Sequence, residues 1–277
     1  MRFLEEATPS LLRDEARHNL ILGIAGTLAR RPSVYPEFAL WLVEDRGSVV
    51  LAALQTPPYN LVLSRPLRNE ALVAFCDALE QEGRALPGVT AARPEVDGFV
   101  REWARRGTFA SRVRTRQRLY RLAHPPAAPP VPGRPRGATP TERHLLAEWL
   151  DAFAAEALPA DAPGRASHAL VDARLEDSSA GFTLWEDREP VSLAGWGNPT
   201  PNGVRIGPVY TPPEHRRRGY GSAVTAAVSA EHLASGRRFC FLYTDLANPT
   251  SNRIYTDIGY EPVCDSIDYA FDPIGGS

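Results

Sequence analysis

The amino-acid sequence predicts a mixed α/β fold, present as two consecutive copies that each contain a mixed sheet. Three observations lead to this prediction: a proline-rich segment near the middle of the chain, a short internal repeat, and the same order of predicted elements on either side of the prolines. The chain has 277 residues, which is enough for two domains of ordinary size.

The proline-rich segment spans His124–Pro140, where seven of 17 residues are proline. Proline has no backbone N–H to donate and favours an extended polyproline conformation, so this stretch predicts neither a paired strand nor a helix. We therefore predict a first domain over residues 1–125, a linker over 126–139 and a second domain over 140–277.

The internal repeat relates two segments that are 142 residues apart. Val43–Pro57 (VEDRGSVVLAALQTP) and Trp185–Pro199 (WEDREPVSLAGWGNP) align without gaps and are identical at seven of 15 positions. Each combines a polar Glu-Asp-Arg turn with an apolar strand, which is the pattern of a β-hairpin. Chance can produce such a match between two hairpins, so the order of the surrounding elements is a second test.

Hydrophobic periodicity and turn residues predict similar elements in both halves. In the first half they are an N-terminal helix, strands at 39–44, 48–55 and 60–64, a helix at 69–82, a strand at 88–93, a helix at 95–108 and a strand at 111–122. In the second half they are helices at 140–157 and 166–177, strands at 181–186, 190–196 and 203–211, a helix at 219–235, a strand at 239–245, a helix at 249–258 and a strand at 264–271. Two copies of one fold is the simplest explanation.

The composition excludes several classes of function. A formal net charge of -2 does not suit a nucleic-acid-binding protein, which usually carries a basic excess. All 31 basic residues are arginine, so a mechanism that needs lysine, such as a Schiff base, is not available. The three cysteines, Cys76, Cys240 and Cys264, are too few and too scattered for a disulfide framework or a zinc site, and we expect no metal.

The sequence also gives an expectation for localisation. No apolar stretch is long enough to span a bilayer, and the N-terminal residues MRFLEE lack the apolar core of a signal peptide. We expect a cytoplasmic protein that binds no membrane. The absence of lysine, together with abundant alanine and proline, is typical of a GC-rich bacterial host.

The most informative stretch is Val204–Ser222 (VRIGPVYTPPEHRRRGYGS). A predicted strand ends there at two prolines, and Arg216–Gly221 then opens a helix that Gly236 is well placed to end. A strand, a glycine-bearing loop and a helix N-terminus together form an anion site, because free backbone N–H groups and the helix dipole meet there. The alternative is an ordinary crossover with a solvated arginine run. A Rossmann fingerprint would need glycine at Val224, and a Walker loop would need lysine.

A second segment follows the predicted buried strand Phe239–Asp245. Asn248 is a good N-cap, Pro249 a good first helical residue and Gly259 a good terminator. Helical spacing places Asn248, Asn252 and Tyr255 on one face. Taken alone, Asn248 is only a cap and Tyr255 only a packing residue.

The two segments together resemble the GNAT superfamily of N-acetyltransferases. Its signature R/Q-x-x-G-x-G/A after the fourth core strand matches Arg216-x-x-Gly219-x-Gly221, and its N-x-x-S/A-x-x-L/I-Y-x-x-x-G-F/Y segment matches Asn248–Tyr260. The resemblance covers residues from about 140 to 272 and implies acetyl-CoA as the acetyl donor. It implies that the residues contacting coenzyme A are Val209, Tyr210, Thr211, Arg216, Arg217, Arg218, Gly219, Tyr220, Gly221, Ser222, Asn248 and Asn252.

The resemblance also implies a mechanism, in which a neutral amine attacks the thioester directly. The N–H of Tyr210 would polarise the carbonyl, and Tyr255 would be the general acid that reprotonates the thiolate. The base is not readable from the sequence. Candidates are Asp245, a water chain and, less favourably placed, His215 or the hairpin acids Glu186 and Asp187, while Trp196 would line the acceptor pocket or fill the core.

The first half of the chain shares the element order but lacks the loop. After the predicted strand Asn60–Ser64, the sequence Arg65-Pro66-Leu67-Arg68-Asn69 contains no glycine that would let the backbone approach a phosphate. We expect a degenerate, inactive copy and one active site per chain, with a homodimer left open.

Three functions remain in contention at this point. The first is a tandem GNAT enzyme that acetylates the amine of a small molecule or of a protein. The second is a non-catalytic acyl-CoA-binding module that regulates a partner. The third, an aminoacyl transferase using charged tRNA, is disfavoured by the intact loop and by the lack of a basic excess.

Overall fold

The structure is a computed structural model that describes residues 2–107, 109–158 and 167–273. These residues form eight α-helices and eleven strands. They fall into two compact units: unit 1 comprises Met1–Leu119 and Val263–Ser277, and unit 2 comprises Tyr120–Pro262. The chain leaves unit 1 within strand β5 (Phe109–Leu122) and returns to it within strand β11 (Glu261–Pro273).

Unit 1 has the strand order β1-β2-β3-β4-β11-β5. Strands β3 and β4 are parallel, whereas β11 runs antiparallel to β4. The elements of the first part of the chain are α1 Arg2–Leu11, α2 Asn19–Arg30, β1 Ala39–Asp45, β2 Ser48–Gln55, β3 Leu61–Leu63, α3 Asn69–Gln81, β4 Gly88–Ala92, α4 Glu95–Trp103 and β5 Phe109–Leu122.

The core of unit 1 lies on both faces of its sheet, as strand β2 shows. Leu51 and Ala53 pack in one apolar cluster with α3 and α4, whereas Ala52 and Leu54 pack in another with α1 and α2. This alternation follows from the two-residue period of a strand. All four side chains are essentially inaccessible to solvent, so the strand is buried from both sides.

Unit 2 has the strand order β5-β10-β9-β8-β7-β6, to which β5 contributes its end. Helices α7 and α8 share one apolar cluster with Val204 and Ile206 of β9, and α5 and α6 share another with Tyr210. The remaining elements are β6 Arg134–Gly137, α5 Arg143–Ala157, α6 Ser167–Leu175, β7 Gly181–Asp187, β8 Glu189–Gly197, β9 Gly203–Tyr210, α7 Tyr220–Ala234, β10 Phe239–Asp245, α8 Pro249–Ile258 and β11 Glu261–Pro273.

The two hairpins of the internal repeat have matching backbone features. Arg46 and Arg188, which occupy equivalent positions, both adopt left-handed conformations, with φ of 51° and 67°. The pairing of β1 with β2 shifts register after Val43, and that of β7 with β8 shifts after the equivalent Trp185. The prediction of two copies of one mixed α/β fold is confirmed. The helix predicted over 95–108 is too long, because α4 ends at Trp103 and a turn follows. The predicted limits at residues 108 and 166 themselves lie outside the described residues.

The proline-rich segment is a packed part of unit 2, unlike the linker that its composition suggests. The prediction that it cannot pair in a sheet is wrong for Arg134–Gly137, which forms the edge strand β6 against β7. An edge strand tolerates proline because one side of its backbone needs no partner. Upstream, Ala127 N donates to Ile258 O (2.8 Å) and Trp185 Nε1 donates to Pro132 O (2.8 Å).

The unit boundaries also differ from the predicted limits of 1–125, 126–139 and 140–277. Unit 2 already begins at Tyr120, inside β5, and residues from Val263 onward belong to unit 1. The physical reason is that β11 pairs with β4, with Ile267 opposite Ala91. Within the described residues, no helix is long and apolar enough to cross a membrane.

Candidate functional site

The site predicted from the sequence lies where β9 and β10 of unit 2 separate. These parallel strands are paired at three positions, Gly203 with Phe239, Val204 with Cys240 and Arg205 with Phe241. Beyond them β9 continues to Tyr210 and β10 to Asp245. Backbone groups on facing edges of two diverging strands can hydrogen-bond an extended ligand instead of each other.

The direction of the backbone groups along β9 follows from a contact with β8. Ser192 Oγ of β8 donates to the carbonyl oxygen of Tyr210 (3.1 Å), so this carbonyl faces β8. In an extended strand the N–H and C=O of one residue point to the same edge, and neighbouring residues point to opposite edges. The N–H of Tyr210 therefore faces β8, and the N–H of Val209 faces β10. This overturns the placement of the Tyr210 N–H toward the reacting carbonyl.

The glycine-bearing loop connects β9 to α7 with two left-handed residues, Arg217 (φ 60°) and Gly219 (φ 84°). The first intrahelical hydrogen bond of α7 runs from Ala223 N to Gly219 O (2.9 Å). The three amides before it, those of Tyr220, Gly221 and Ser222, thus lie at the helix N-terminus without an intrahelical acceptor. A left-handed arginine is a strained conformation of the kind that is found at ligand sites.

Several contacts hold this loop in place. They are made by Arg216 and Tyr220, two residues that the sequence predicts to bind the ligand. Arg216 Nη2 donates to both carboxylate oxygens of Glu156 (2.8 and 2.7 Å), and its Nε donates to Thr211 O (2.8 Å). Tyr220 is buried, and its hydroxyl donates to Asp187 Oδ2 (2.6 Å). Arg216 and Tyr220 therefore shape the loop.

Two further positions of the loop remain open to a ligand. Arg217 and Arg218 are exposed. They place two positive charges beside the free amides of α7, which favours an anion there.

The loop anchors are functional residues that sequence reasoning missed. Glu156 lies on α5, 60 residues before Arg216, and no local sequence pattern predicts this pairing. From the sequence, Asp187 is only a hairpin acid that is unfavourably placed as a base. The turn instead reaches the start of α7, which a repeat comparison alone cannot show.

Helix α8 begins and ends as the sequence predicts. Asn248 is the N-cap, and its side-chain oxygen accepts from Ser251 N (3.0 Å). Pro249 is the first helical residue, and Gly259 ends the helix with φ of 109°. Asn252 Nδ2 donates to the carbonyls of Asp245 (2.9 Å) and Asn248 (2.7 Å), so this side chain ties the end of β10 to α8.

Tyr255 lies among aromatic rings. Its ring centroid is 6.5 Å from that of Tyr120 and 6.1 Å from that of Tyr260, while Tyr120 also donates from its hydroxyl to Asn252 Oδ1 (3.0 Å). Burial raises the pKa of Tyr255 to about 12 because the phenolate would be poorly solvated. The hydroxyl therefore stays protonated well above neutral pH.

The residues considered as a base or as pocket lining lie in several places. Asp245 Oδ1 accepts from Ala247 N (2.7 Å), as expected of a turn former. Trp196 packs edge-on against His232 of α7 at 4.7 Å, and His215 Nε2 lies 3.9 Å from Glu189 Oε1. Glu186 pairs with Arg136. In the described part of the chain, no three His, Cys, Asp or Glu residues group as a metal site would require.

Comparisons with known proteins show what this chain resembles in sequence and in fold. The family model "FR47-like protein" matches residues 183–267, which include the loop and α8. No curated protein matches the chain in sequence.

Several solved structures match the chain over most of its length. A GCN5-related N-acetyltransferase from Kribbella flavida is 20% identical with a TM-score of 0.58, over 92% of this chain and 96% of that one. One from Sphaerobacter thermophilus is 17% identical with a TM-score of 0.61, over 86% and 82%. A tandem GNAT protein from the clavulanic acid biosynthesis pathway is 15% identical with a TM-score of 0.56, over 92% and 88%.

Proposed function

Because this chain has the tandem fold of the GCN5-related N-acetyltransferases, we propose that unit 2 binds acetyl-CoA and transfers its acetyl group to the amine of a small molecule. The observation that carries the proposal is the separation of β9 from β10 directly beside a helix N-terminus with three free amides. An extended chain that ends in a pyrophosphate fits both features at once. The strand edge suits its amide-bearing arm, and the helix start suits its phosphates.

The residues at the loop fit a bulky phosphate. A Cβ atom at Gly221 would lie 3.3 Å from Thr211 Oγ1, and one at Gly219 would lie 2.8 Å from Val131 Cγ1. Glycine at these two positions thus lets the loop pack closely against Thr211 and Val131. We assign the pyrophosphate to the amides of Tyr220 to Ser222 and to the exposed Arg217 and Arg218, and the pantetheine arm to Val209 and Thr211.

The chemistry requires a bond to form between the amine nitrogen and the thioester carbon while the carbon–sulfur bond breaks. The N–H of Val209, which faces β10, would donate to the carbonyl oxygen as negative charge develops on it. Tyr255 would donate its proton to the departing thiolate. The proton lost by the amine would leave through water, since Asp245 is engaged in its turn.

Binding is tested by calorimetry with coenzyme A on the full chain. Gly219→Asp places a carboxylate where the phosphate would bind, and we expect affinity to fall by at least about 100-fold. Gly236→Asp is the matched control, because Gly236 also has a left-handed φ (97°) and lies at the other end of α7, where a Cβ meets no described heavy atom within 4 Å. Equal affinity in the wild type and Gly219→Asp would contradict the loop assignment.

A second variant distinguishes loss of coenzyme A binding from misfolding of the loop. Gly221 is helical, so Gly221→Val adds bulk beside Thr211 without a forbidden backbone conformation. Catalysis is then measured as thiol released from acetyl-CoA with a panel of amines. Tight binding with no thiol release from any amine would favour a binding module over an enzyme.

A further inference from the structure

An arginine of α6 lies against the face of the unit 2 sheet that α5 and α6 cover. Arg174 of α6 donates from Nη1 to the carbonyl oxygen of Gly207 on β9 (3.1 Å), and its guanidinium carbon lies 5.2 Å from the centre of the Phe182 ring. A Cβ atom at Gly195 would collide with Nη1. Glycine at 195 therefore makes room on the sheet for this guanidinium.

The two arginines whose charges interact here are Arg174 and Arg205. Burial, and next to it the positive charge of Arg205, lowers the pKa of Arg174 to about 10. Arg205 lies on β9, two residues before Gly207. Among the described residues neither arginine has a carboxylate partner.

Other arginines of unit 2, unlike Arg174 and Arg205, have carboxylate partners. Arg143 pairs with Asp172, Arg136 with Glu142 and Arg216 with Glu156. A desolvated cation beside a second cation is costly, and an anion that binds between them offsets that cost.

The pair lies near the place where the proposed reaction occurs. Gly207 precedes Val209 by two residues on β9. A Cβ atom at Gly207 would meet no described heavy atom within 4 Å, so there is free space beside this strand. An acceptor could occupy it with one end at Arg174 and the other near the N–H of Val209.

We propose that Arg174 and Arg205 bind the carboxylate of the acceptor, and that the acceptor is a compact amino acid whose amine and carboxylate are a few bonds apart. This inference rests on the proposed function, because it assigns the acceptor of the same site. Arg174 gives one donor to Gly207 and one face to Phe182. Four of its five N–H donors remain, which is enough for a two-point contact with a planar carboxylate.

The first test is a thermal-shift measurement on the full chain, which needs no acetyl transfer. The probes are the L-amino acids and short ω-amino acids, each with its matched primary amide and, where one exists, the matched phosphate ester. We expect at least one carboxylate form to raise the melting temperature while its amide does not. Arg174→Met and Arg205→Met should each abolish this shift, whereas Arg105→Met, at an exposed pair in unit 1, should retain it.

The second test uses turnover with acetyl-CoA. For the acceptor found, either variant should raise KM by about 10- to 100-fold, since a hydrogen-bonded ion pair is lost, while coenzyme A affinity stays unchanged. A phosphate ester as the sole stabilising probe would overturn the proposal. So would equal shifts for acid and amide, or no shift from any amino acid. Coenzyme A calorimetry reports separately on the proposed function, so the two failures are distinguishable.

Discussion

Unit 1 and unit 2 have the same order of elements but differ where their equivalent parallel strands end. In unit 2, β9 and β10 separate beside a glycine loop. In unit 1, the end of β4 is occupied by the chain's own ion pair, in which Arg17 Nε donates to Glu95 Oε1 (2.7 Å) and Nη2 donates to Arg93 O (2.5 Å). Glu95 is 5% exposed, so this pair is a buried feature of the unit.

The helices that follow the equivalent strands β9 and β3, which are α7 and α3, also differ in the charge of their first turns. Helix α7 begins after Gly219, has no acidic residue in its first turn and follows three arginines. Helix α3 begins after Arg68 in extended conformation and carries Glu70 in its first turn. An acidic residue there satisfies the helix dipole and repels an anion. Under the proposed function, a few residues at a strand end decide which copy of this fold holds a ligand.

The change expected to affect unit 1 most, and unit 2 least, is ending the chain at Pro262. This removes most of β11, including the buried residues Ile267 and Phe271, and leaves the edge of β4 unpaired. We expect hydrogen exchange to show loss of protection in β4 with protection retained in β9. Asp272→Asn, at an exposed pair with Arg112, is the control that should leave both protected. A protected β4 in the shortened chain would show that unit 1 folds without β11.

A smaller effect is expected from Arg17→Met. It leaves the buried Glu95 with only the longer contact to Arg65 (3.9 Å), and breaking a buried pair of this kind costs up to about 3–5 kcal/mol. Denaturant unfolding measures this loss, and Arg2→Met at an exposed pair should cause no measurable change. Calorimetry should still give one coenzyme A per chain. A second equivalent would mean that the ion pair alone had kept unit 1 from binding.

The smallest effect concerns Tyr255, which has no tyrosine counterpart in helix α4 of unit 1. Tyr255→Phe should leave the affinity for acetyl-CoA unchanged and lower kcat by about 100-fold, the typical contribution of a general acid. The control is Tyr260→Phe, which loses the hydroxyl contact with Ser229 (2.7 Å) and should affect stability but not kcat. Unchanged turnover in Tyr255→Phe would remove the proposed role.

The pH profile sharpens this assignment. An acid donates only while protonated, and the pKa of Tyr255 is raised to about 12. The wild-type kcat should therefore show no alkaline loss at about pH 8 to 10. A decline in that range would assign the proton to a group with a lower pKa.

Local signals in the sequence predicted most elements and several of their ends, but not the edge strand β6 or the end of α4 at Trp103. The N-cap Asn248, the terminators Gly236 and Gly259 and the start of α7 all lie where predicted. Each of these depends on residues a few positions apart, through capping, left-handed glycine or helical spacing. The element order of both copies and the glycine loop could be read in the same way.

The long-range pairings could not be predicted. The pairs Arg17–Glu95 and Arg216–Glu156 join residues 78 and 60 positions apart, and no periodicity encodes which charges meet. The pairing of β11 with β4 is likewise set by tertiary packing. The edge to which the Tyr210 N–H points depends on strand register, because a shift of one residue reverses every backbone group.

The position of β11 between β4 and β5 has a consequence for how the chain is made. Residues 263–273 follow all of unit 2 in the sequence, yet they complete the sheet of unit 1. During translation the first unit to leave the ribosome thus lacks an interior strand while the whole second unit is being synthesised. Its strand edges stay open to wrong partners for that period. Unit 1 is therefore the first unit to be synthesised and the last to be completed.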